Sequence, residues 1–432
     1  MERLLHYTWQ QRLYPSPTLT TTSGQQLEVI DPGLHNFDAG PDFFNAKIRM
    51  GHETLVGNVE IHSYSSDWNR HQHQLNPSYN NVILHVVEHA DTDEIFTQDG
   101  RRLMQVELEI PPYVEQNYLR LQRQDFYPPC QDSVGKMPSL LVHQWLDALR
   151  MERLEQKTER INGYADEDCG NWERAFFITL ARSFGFGING DAFESWARIV
   201  PLGACGKHRD MPFQIEAIFL GQAGLLTEDM IPAFHRSYAQ EDGYFTKLQN
   251  EYRFLAHKFT LTPMNGYQWK FLRLRPQNFP HIRLVQLANL YCSQRLNLSA
   301  LLDAKTLDEV KDLFRTGVTP YWETHYGFGA ESARSAKQLS NASLNSLAIN
   351  AAVPMLFTYG KHRFHEEYCT RAMELLEQLP AEGNRYTRIW KEMGLAVNTA
   401  ADSQAIIQLH THYCYRKDCL RCRWGYQFLK QR

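Results

Sequence analysis

The chain has 432 residues, of which 43% are hydrophobic and 22% charged, and its formal net charge is -4 at pH 7. This length and apolar content suffice for two or three domains with proper cores, and the composition excludes a wholly disordered chain. The slightly acidic balance excludes a uniformly basic nucleic-acid coat, although a local basic groove stays open.

The N-terminus and the apolar runs predict a cytoplasmic protein that does not cross a membrane. Residues 1–12 lack the apolar core and the cleavage site of a secretory signal. No run approaches the roughly 20 apolar residues that a membrane span requires. The eight cysteines are therefore expected to be free thiols or metal ligands rather than disulfides.

Residues 1–125 are predicted to form a strand-rich α/β head. Runs of β-branched and alternating residues, bounded by Gly, Pro and Asp, are typical of short strands. The strands are expected at residues 27–30, 46–50, 55–62, 81–87 and 104–110. Helices are expected at residues 1–12 and 113–124.

The remainder of the chain changes to a helical period. Residues 126–138 are rich in Pro and Gly and predict a linker. Residues 139–400 are expected to form a helical domain, because apolar residues recur at helical spacing. Residues 401–432 form a Cys-rich C-terminal metal-binding segment. The predicted fold class is α+β: a mixed-sheet head followed by a larger all-helical region.

Residues 40–62 suggest a catalytic site that binds a divalent metal ion. Asp42 follows a Gly-Pro turn, and the next predicted strand carries Glu60 and His62 on one face, since strand side chains alternate. Asp42 and Glu60 are expected to bind Mg²⁺ or Mn²⁺, which prefer carboxylate oxygens, with Glu28 as a third ligand. His62 is expected to assist catalysis, by orienting a water or by donating to charge on a phosphate.

At these positions the segment resembles the PD-(D/E)xK, or restriction-endonuclease-like, nucleases. That family has an aspartate, often after proline, and then a strand with an acid, a spacer and a lysine. Here Pro41-Asp42 and Glu60-Ile61 match, and His62 stands where the family has lysine. The resemblance implies a nuclease-like strand order and metal-dependent hydrolysis of phosphodiesters in DNA or RNA. A weaker version keeps the fold as a binding module without catalysis. The whole chain also resembles an uncharacterised bacterial family, which implies no function.

Basic and aromatic side chains are candidates for nucleic-acid contacts. Trp68 is expected to stack on a base and Arg70 to meet a phosphate, beside the substrate channel. Arg273 and Arg275 belong to a second stretch that mixes basic and aromatic residues. The alternative for that stretch is a loop between helices whose arginines form ion pairs.

Two other interpretations of the head remain open. His71-x-His73 with Glu60 is a ligand set for a transition metal, which predicts a small-molecule metalloenzyme. The other interpretation is a purely structural role for these residues, in which Asp42 satisfies backbone N–H groups of its turn. In that case the protein is a scaffold or interaction protein that uses its helical body.

The C-terminal segment combines three cysteines with two histidines. Neighbouring thiolates suit tetrahedral zinc or an iron–sulfur cluster, and zinc is the first expectation. The thiolate ligands are expected to be Cys414, Cys419 and Cys422. The fourth ligand is His410 or His412, or else Cys130 folding back to complete a four-cysteine site.

Overall fold

The structure is a computed structural model that describes residues 2–123 and 127–431. The chain divides into two compact units: the first holds Met1–Trp145, Met393–Leu395 and Leu409–Arg432, and the second holds Leu146–Glu392 and Ala396–Gln408. The boundary near Trp145 falls inside a helix rather than in the predicted linker, where residues 131–134 are helical. Residues 409–432 of the predicted C-terminal segment fall in the first unit, and residues 401–408 fall in the second.

The first unit is built on a mixed β-sheet. Its strands are β1 (Thr18–Thr20), β2 (Gln26–Asp31), β3 (Leu34–His35), β4 (Phe43–Met50), β5 (Glu53–Tyr64), β6 (Val82–His89) and β7 (Gln105–Glu107). The strand order is β1-β2-β4-β5-β6-β7, with β3 beside β4. Neighbours from β1 to β5 are antiparallel, whereas β5, β6 and β7 are parallel. The predicted mixed sheet is confirmed.

The sheet curls until its two edges meet. Thr21 forms an antiparallel bridge with Val106, and the Thr22 N–H donates to the Gln105 carbonyl over 2.9 Å. The arrangement is nearly closed and barrel-like, which leaves little unpaired edge. The last strand is shorter than the predicted 104–110, because the Pro111-Pro112 pair removes two N–H donors and starts a helix.

The helices account for most of the chain beyond the sheet. They are α1 (Glu2–Gln10), α2 (Asp67–Arg70), α3 (Pro112–Gln122), α4 (Gln131–Val134), α5 (Ser139–Asp166), α6 (Trp172–Phe184), α7 (Gly190–Ile199), α8 (Leu202–Gly206), α9 (Pro212–Gln222), α10 (Arg236–Glu241), α11 (Tyr244–Phe259), α12 (Pro280–Cys292), α13 (Leu298–Asp303), α14 (Leu307–Phe314), α15 (Pro320–Glu323), α16 (Asn341–Leu347), α17 (Val353–Arg363), α18 (Glu366–Gln378), α19 (Arg385–Glu392), α20 (Ala400–Gln408) and α21 (Arg423–Leu429). None of the described helices is both long and apolar enough to cross a membrane.

Helix α1 packs against β5, the strand that carries Glu60 and His62. Its residues Leu4, Leu5 and Trp9 are fully buried, at helix spacing on one face. On β5, Val59 and Ile61 are also fully buried. Both faces of this part of β5 are covered, and polar residues of β5 are therefore enclosed as well.

The second unit has a continuous helical core. Its buried residues come from α5 through α20, with large aromatic side chains such as Trp196, Phe219 and Trp322 at the centre. One two-stranded hairpin interrupts the helices, formed by His325–Gly327 and Ala330–Glu331. The unit is thus predominantly helical rather than all-helical, because Gly327 and Gly329 allow a tight turn there, Gly329 at φ +67°.

Candidate metal centre

Asp42 and Glu60 are connected by hydrogen bonds between the neighbouring strands β4 and β5. Asp42 immediately precedes β4, and Phe43 pairs with Val59 on β5. The Asp42 N–H donates to Glu60 Oε2 over 3.0 Å, and the Ile61 N–H donates to Asp42 Oδ2 over 2.9 Å. The two acidic side chains are therefore fixed on the same side of the sheet, each by a backbone donor of the other strand region.

Imidazole rings surround this acid pair. Glu60 Oε1 lies 3.5 Å from His62 Nε2 and 3.2 Å from His73 Nε2. His6, on α1, places its Nε2 3.5 Å from Asp42 Oδ2. Glu60 and His62 lie on one face of β5, as strand alternation predicts, and both are buried. Carboxyl and imidazole groups in such proximity form one polar cluster inside an apolar fold.

His62 connects two further histidines. Its Nδ1 lies 2.9 Å from His85 Nε2, and its Nε2 lies 3.2 Å from His71 Nδ1. His85 is fully buried on β6 opposite Glu60 in the sheet register, whereas His71 is exposed. The cluster therefore runs from the core of the sheet to solvent, and His71 marks its open end.

Burial determines the charge of the acids. Burial, together with the neighbouring Asp42 carboxylate, raises the pKa of Glu60 to about 9. Burial also raises the pKa of Asp42, opposed by the hydrogen bond from Ile61. Without a cation, Glu60 is consequently protonated at neutral pH, since two buried carboxylates do not both ionise readily.

Burial keeps the imidazoles neutral. Burial, together with the surrounding histidines, lowers the pKa of His62 to about 2. Burial lowers the pKa of His85 to about 3, although the Gln105 side chain acts in the opposite direction, and it lowers the pKa of His73 and His6. Neutral imidazole is the form that binds a metal ion, so these rings need not lose a proton first.

Three of the rings are arranged as a ligand set. Among the residues that the structure describes, His62, His71 and His73 form the set of three whose ligand atoms all lie within 4.8 Å of one another. His73 Nε2 is buried and has no hydrogen-bond partner of good geometry, although Glu60 is near. An unsatisfied buried nitrogen that faces two other imidazoles fits a transition-metal ion.

Three predicted site residues are placed elsewhere. Glu28 on β2 is half exposed and pairs with Arg49 at 3.2 Å rather than with Asp42 or Glu60, and its role as a third ligand stays a prediction. Trp68 is fully buried and donates its indole N–H to the Phe96 carbonyl over 3.0 Å, so its ring is not available to a base. Arg70 is largely exposed but is ion-paired with Asp67.

Arg273 and Arg275 belong to the second unit. They line a cavity of about 400 Å³ together with Phe186, Ile188 and Asn189. A role in nucleic-acid binding stays a prediction for both arginines. The surrounding stretch, for which a nucleic-acid groove and a loop between helices are the two predictions, contains a short 3₁₀ turn at Pro276–Asn278.

The C-terminal cysteines lie in the first unit. Cys414 ends a π-helical turn at Leu409–Cys414, Cys419 begins a 3₁₀ turn, and Cys422 precedes α21. His412 lies in the same π-helical turn, and its role as a metal ligand stays a prediction. Each of the eight cysteines is a free thiol rather than half of a disulfide.

Sequence reasoning missed several members of the head cluster. His6 and His35 join it from α1 and β3, and Tyr79 stacks on His73 with ring centroids 4.0 Å apart. The polar stretch with His71 and His73 consists of α2 and two 3₁₀ turns, which fold the two rings over β5. No local pattern links His6 or His35 to this stretch, and the high histidine content of the head was the available signal.

Fold and site together define an α+β protein whose N-terminal mixed sheet carries a histidine-rich candidate metal centre. The chain belongs to the family described as protein of unknown function (DUF2851), which matches residues 2–385. Comparison with curated proteins and with solved structures gave no match. The family match agrees with the resemblance to an uncharacterised family, and its description names no activity.

Proposed function

We propose that the first unit is a metal-dependent hydrolase of phosphodiester bonds, with a divalent transition metal bound by His62, His71 and His73. The convergence of these three rings beside Glu60 and Asp42 carries the proposal. Three protein ligands with an open position are typical of catalytic zinc sites, and imidazole suits zinc better than magnesium. The proposed ligands thus differ from the Asp42, Glu60 and Mg²⁺ or Mn²⁺ expected from sequence.

The order of the strands supports a phosphodiester as substrate. Strands β2, β4 and β5 form an antiparallel meander, and the helical segment after β5 returns the chain to β6, parallel to β5. Asp42 stands at the start of the central β4, and Glu60-x-His62 lies on β5. This meander followed by a parallel strand supports the proposal, because the PD-(D/E)xK resemblance implies such a strand order and motif placement.

The bound metal would supply a nucleophile from water and stabilise charge on the phosphoryl oxygens. Glu60 lies within 3.5 Å of two of the proposed ligands, where its carboxyl group can hold the proton that water releases. The Asp42 N–H orients Glu60. His85 fixes the ring of His62 through the nitrogen that does not face His71. His71 is exposed and faces arriving substrate.

A second candidate is a metalloenzyme for a small substrate other than a nucleic acid. Two observations favour it: the sheet is nearly closed, and Arg70, a predicted phosphate contact, is ion-paired with Asp67. The ligand set is the same in both proposals. They differ in whether the purified enzyme hydrolyses polymeric DNA or RNA.

The experiment uses the full chain and two histidine variants. His71→Ala removes an exposed ligand, and His52→Ala removes an exposed histidine on the turn between β4 and β5 as the matched control. We expect zinc or manganese to support hydrolysis of a chromogenic phosphodiester and of DNA or RNA by wild type and His52→Ala. We expect His71→Ala to lose at least about 100-fold in rate.

The results separate the candidates. Hydrolysis of the small phosphodiester but not of DNA or RNA would favour the second candidate. Equal metal content and equal activity in His71→Ala and wild type would refute the proposed centre. Metal binding without hydrolysis of either substrate would refute the hydrolase and leave the ligand set standing.

A further inference from the structure

Four of the eight cysteines lie in the first unit, on segments other than those that carry the histidine cluster. Cys130 directly precedes α4, and Cys422 directly precedes α21. Cys414 and Cys419 lie in the two turns that lead into α21. Cys130 stands far from the other three in sequence, so only tertiary contacts can join it to them.

Specific hydrogen bonds bring the Cys130 segment onto the C-terminal segment. The Ser133 hydroxyl donates to the Cys130 carbonyl over 2.8 Å and also lies 3.5 Å from the Trp424 carbonyl. Asn117 donates its side-chain amide to the carbonyl of Gln431 over 2.8 Å, and to those of Phe428 and Leu429. These bonds hold α21 against α3 and α4. They thereby fix the segment with Cys130 beside the segment with the other three cysteines.

The thiols are enclosed at this junction. Cys130, Cys419 and Cys422 are each less than a tenth exposed, and Cys414 is half-buried. Gly425 allows α21 to pack closely against the Cys419 main chain, because a Cβ at position 425 would lie 2.0 Å from the Cys419 carbonyl oxygen. Free cysteines are often buried as small apolar side chains, but four that share one junction also form a ligand set for a metal centre.

The spacing and the spread of the sulfur atoms indicate the kind of metal centre. Cys414-x₄-Cys419-x₂-Cys422 has the spacing of the plant-type iron–sulfur motif, with the fourth cysteine distant in sequence. A single zinc ion would hold its sulfur atoms about 3.8 Å apart, given Zn–S bonds of about 2.3 Å. In the part of the chain that the structure describes, the set of three ligand atoms that all lie within 4.8 Å of one another consists of histidines. No three of these sulfur atoms therefore lie that close together.

We infer that Cys130, Cys414, Cys419 and Cys422 bind an iron–sulfur cluster that fastens the C-terminal segment to the first unit. An iron–sulfur core is larger than one ion, and its thiolates attach to more than one iron, which suits widely spaced sulfur atoms. All four ligand positions are filled by protein, so the role is structural. Cys130 rather than His410 or His412 completes the set. The inference does not depend on the proposed hydrolase.

The test measures iron, acid-labile sulfide and visible absorption of the full chain after anaerobic reconstitution with ferrous iron and sulfide. Wild type should bind iron and sulfide in equal amounts and absorb in the visible range. Cys130→Ser should lose most of the bound iron and the visible absorption. Cys169→Ser, which removes an exposed thiol outside the set, and His412→Ala should keep both.

The outcomes do not rest on one variant. If Cys130→Ser is insoluble, wild type still decides, because zinc alone or no metal after reconstitution would overturn the cluster. Retention of the cluster in Cys130→Ser, or its loss in His412→Ala with retention in Cys130→Ser, would overturn the ligand set. His71→Ala should keep the cluster, which separates a failure here from a failure of the histidine site.

Discussion

Asp42 and Glu60 hold each other through main-chain hydrogen bonds rather than through a direct carboxyl contact. The Asp42 N–H binds the Glu60 carboxyl group, and the N–H next to Glu60 binds the Asp42 carboxyl group. Both acids are thereby fixed in position before any cation arrives, although each retains further lone pairs. Such mutual support by backbone donors is typical of preorganised sites.

Glu60→Gln should remove activity and keep the fold, with Asp42→Asn as its comparison. Either amide still offers an oxygen to the same backbone N–H, so the hydrogen bonds of the pair persist. We expect phosphodiester hydrolysis to fall by about 10²- to 10⁴-fold in Glu60→Gln, because its amide cannot take up the proton that water releases. The rate should fall less in Asp42→Asn, which removes only the neighbouring charge that raises the pKa of Glu60. Rate assays beside near-ultraviolet circular dichroism would check this, and unchanged rates in both variants would contradict it.

Metal binding should stabilise the protein through the histidine cluster. Zinc at about 100 times its dissociation constant is expected to add about 2.7 kcal/mol to the free energy of unfolding. His73→Ala should abolish most of that increase, because it removes a nearly buried ring of the set. Denaturant titrations with and without zinc measure the difference within each variant. An equal zinc effect in wild type and His73→Ala would exclude His73 as a ligand.

Trp68→Ala should act on stability rather than on nucleic-acid affinity alone. The ring is fully buried in a cluster with Tyr79, Val82, Ile95 and Leu103. Loss of a buried aromatic side chain of this kind costs about 3–5 kcal/mol of unfolding free energy. Arg70→Ala, at a largely exposed side chain, should cost less than about 1 kcal/mol. Equal, small losses in denaturant titrations of both variants would show that Trp68 is not a core residue.

His281 should make the second unit sensitive to acid. The ring is buried against Trp322 and Phe271, and burial lowers its pKa to about 4. Between its unfolded pKa of 6.5 and about 4, the unfolded chain binds a proton that the folded chain does not. Folding is therefore favoured above pH 6.5 and loses up to about 1.4 kcal/mol per pH unit within that window as pH falls.

His281→Leu provides the comparison, because leucine carries no titrating group. The free energy of unfolding of wild type, relative to this variant, should decrease as the pH is lowered from about 6.5 to about 4. Denaturant midpoints of both proteins at several pH values supply the measurement. Parallel pH profiles would mean that the folded protein accommodates a charged imidazole at this position.

Local pattern predicted the elements well where one face of an element is buried. The strands at 27–30, 46–50, 55–62 and 81–87 all correspond to observed strands, because apolar alternation reports burial directly. The position of Glu60 and His62 on the same face of one strand is likewise a local property. Glu28 illustrates the limit: its strand was predicted, but only the register between strands places it beside Arg49 rather than beside Asp42 or Glu60.

By itself the sequence determined a mixed-sheet head, a predominantly helical remainder, and the common face of Glu60 and His62, since each follows from residue periodicity. Tertiary structure alone decided that α1 brings His6 to Asp42, that His71 and His73 fold over β5, and that Trp68 turns into the core. It also decided that the chain around Cys130 meets the C-terminal turns. Side chains on turns and contacts between distant segments have no period, so their directions are set by packing.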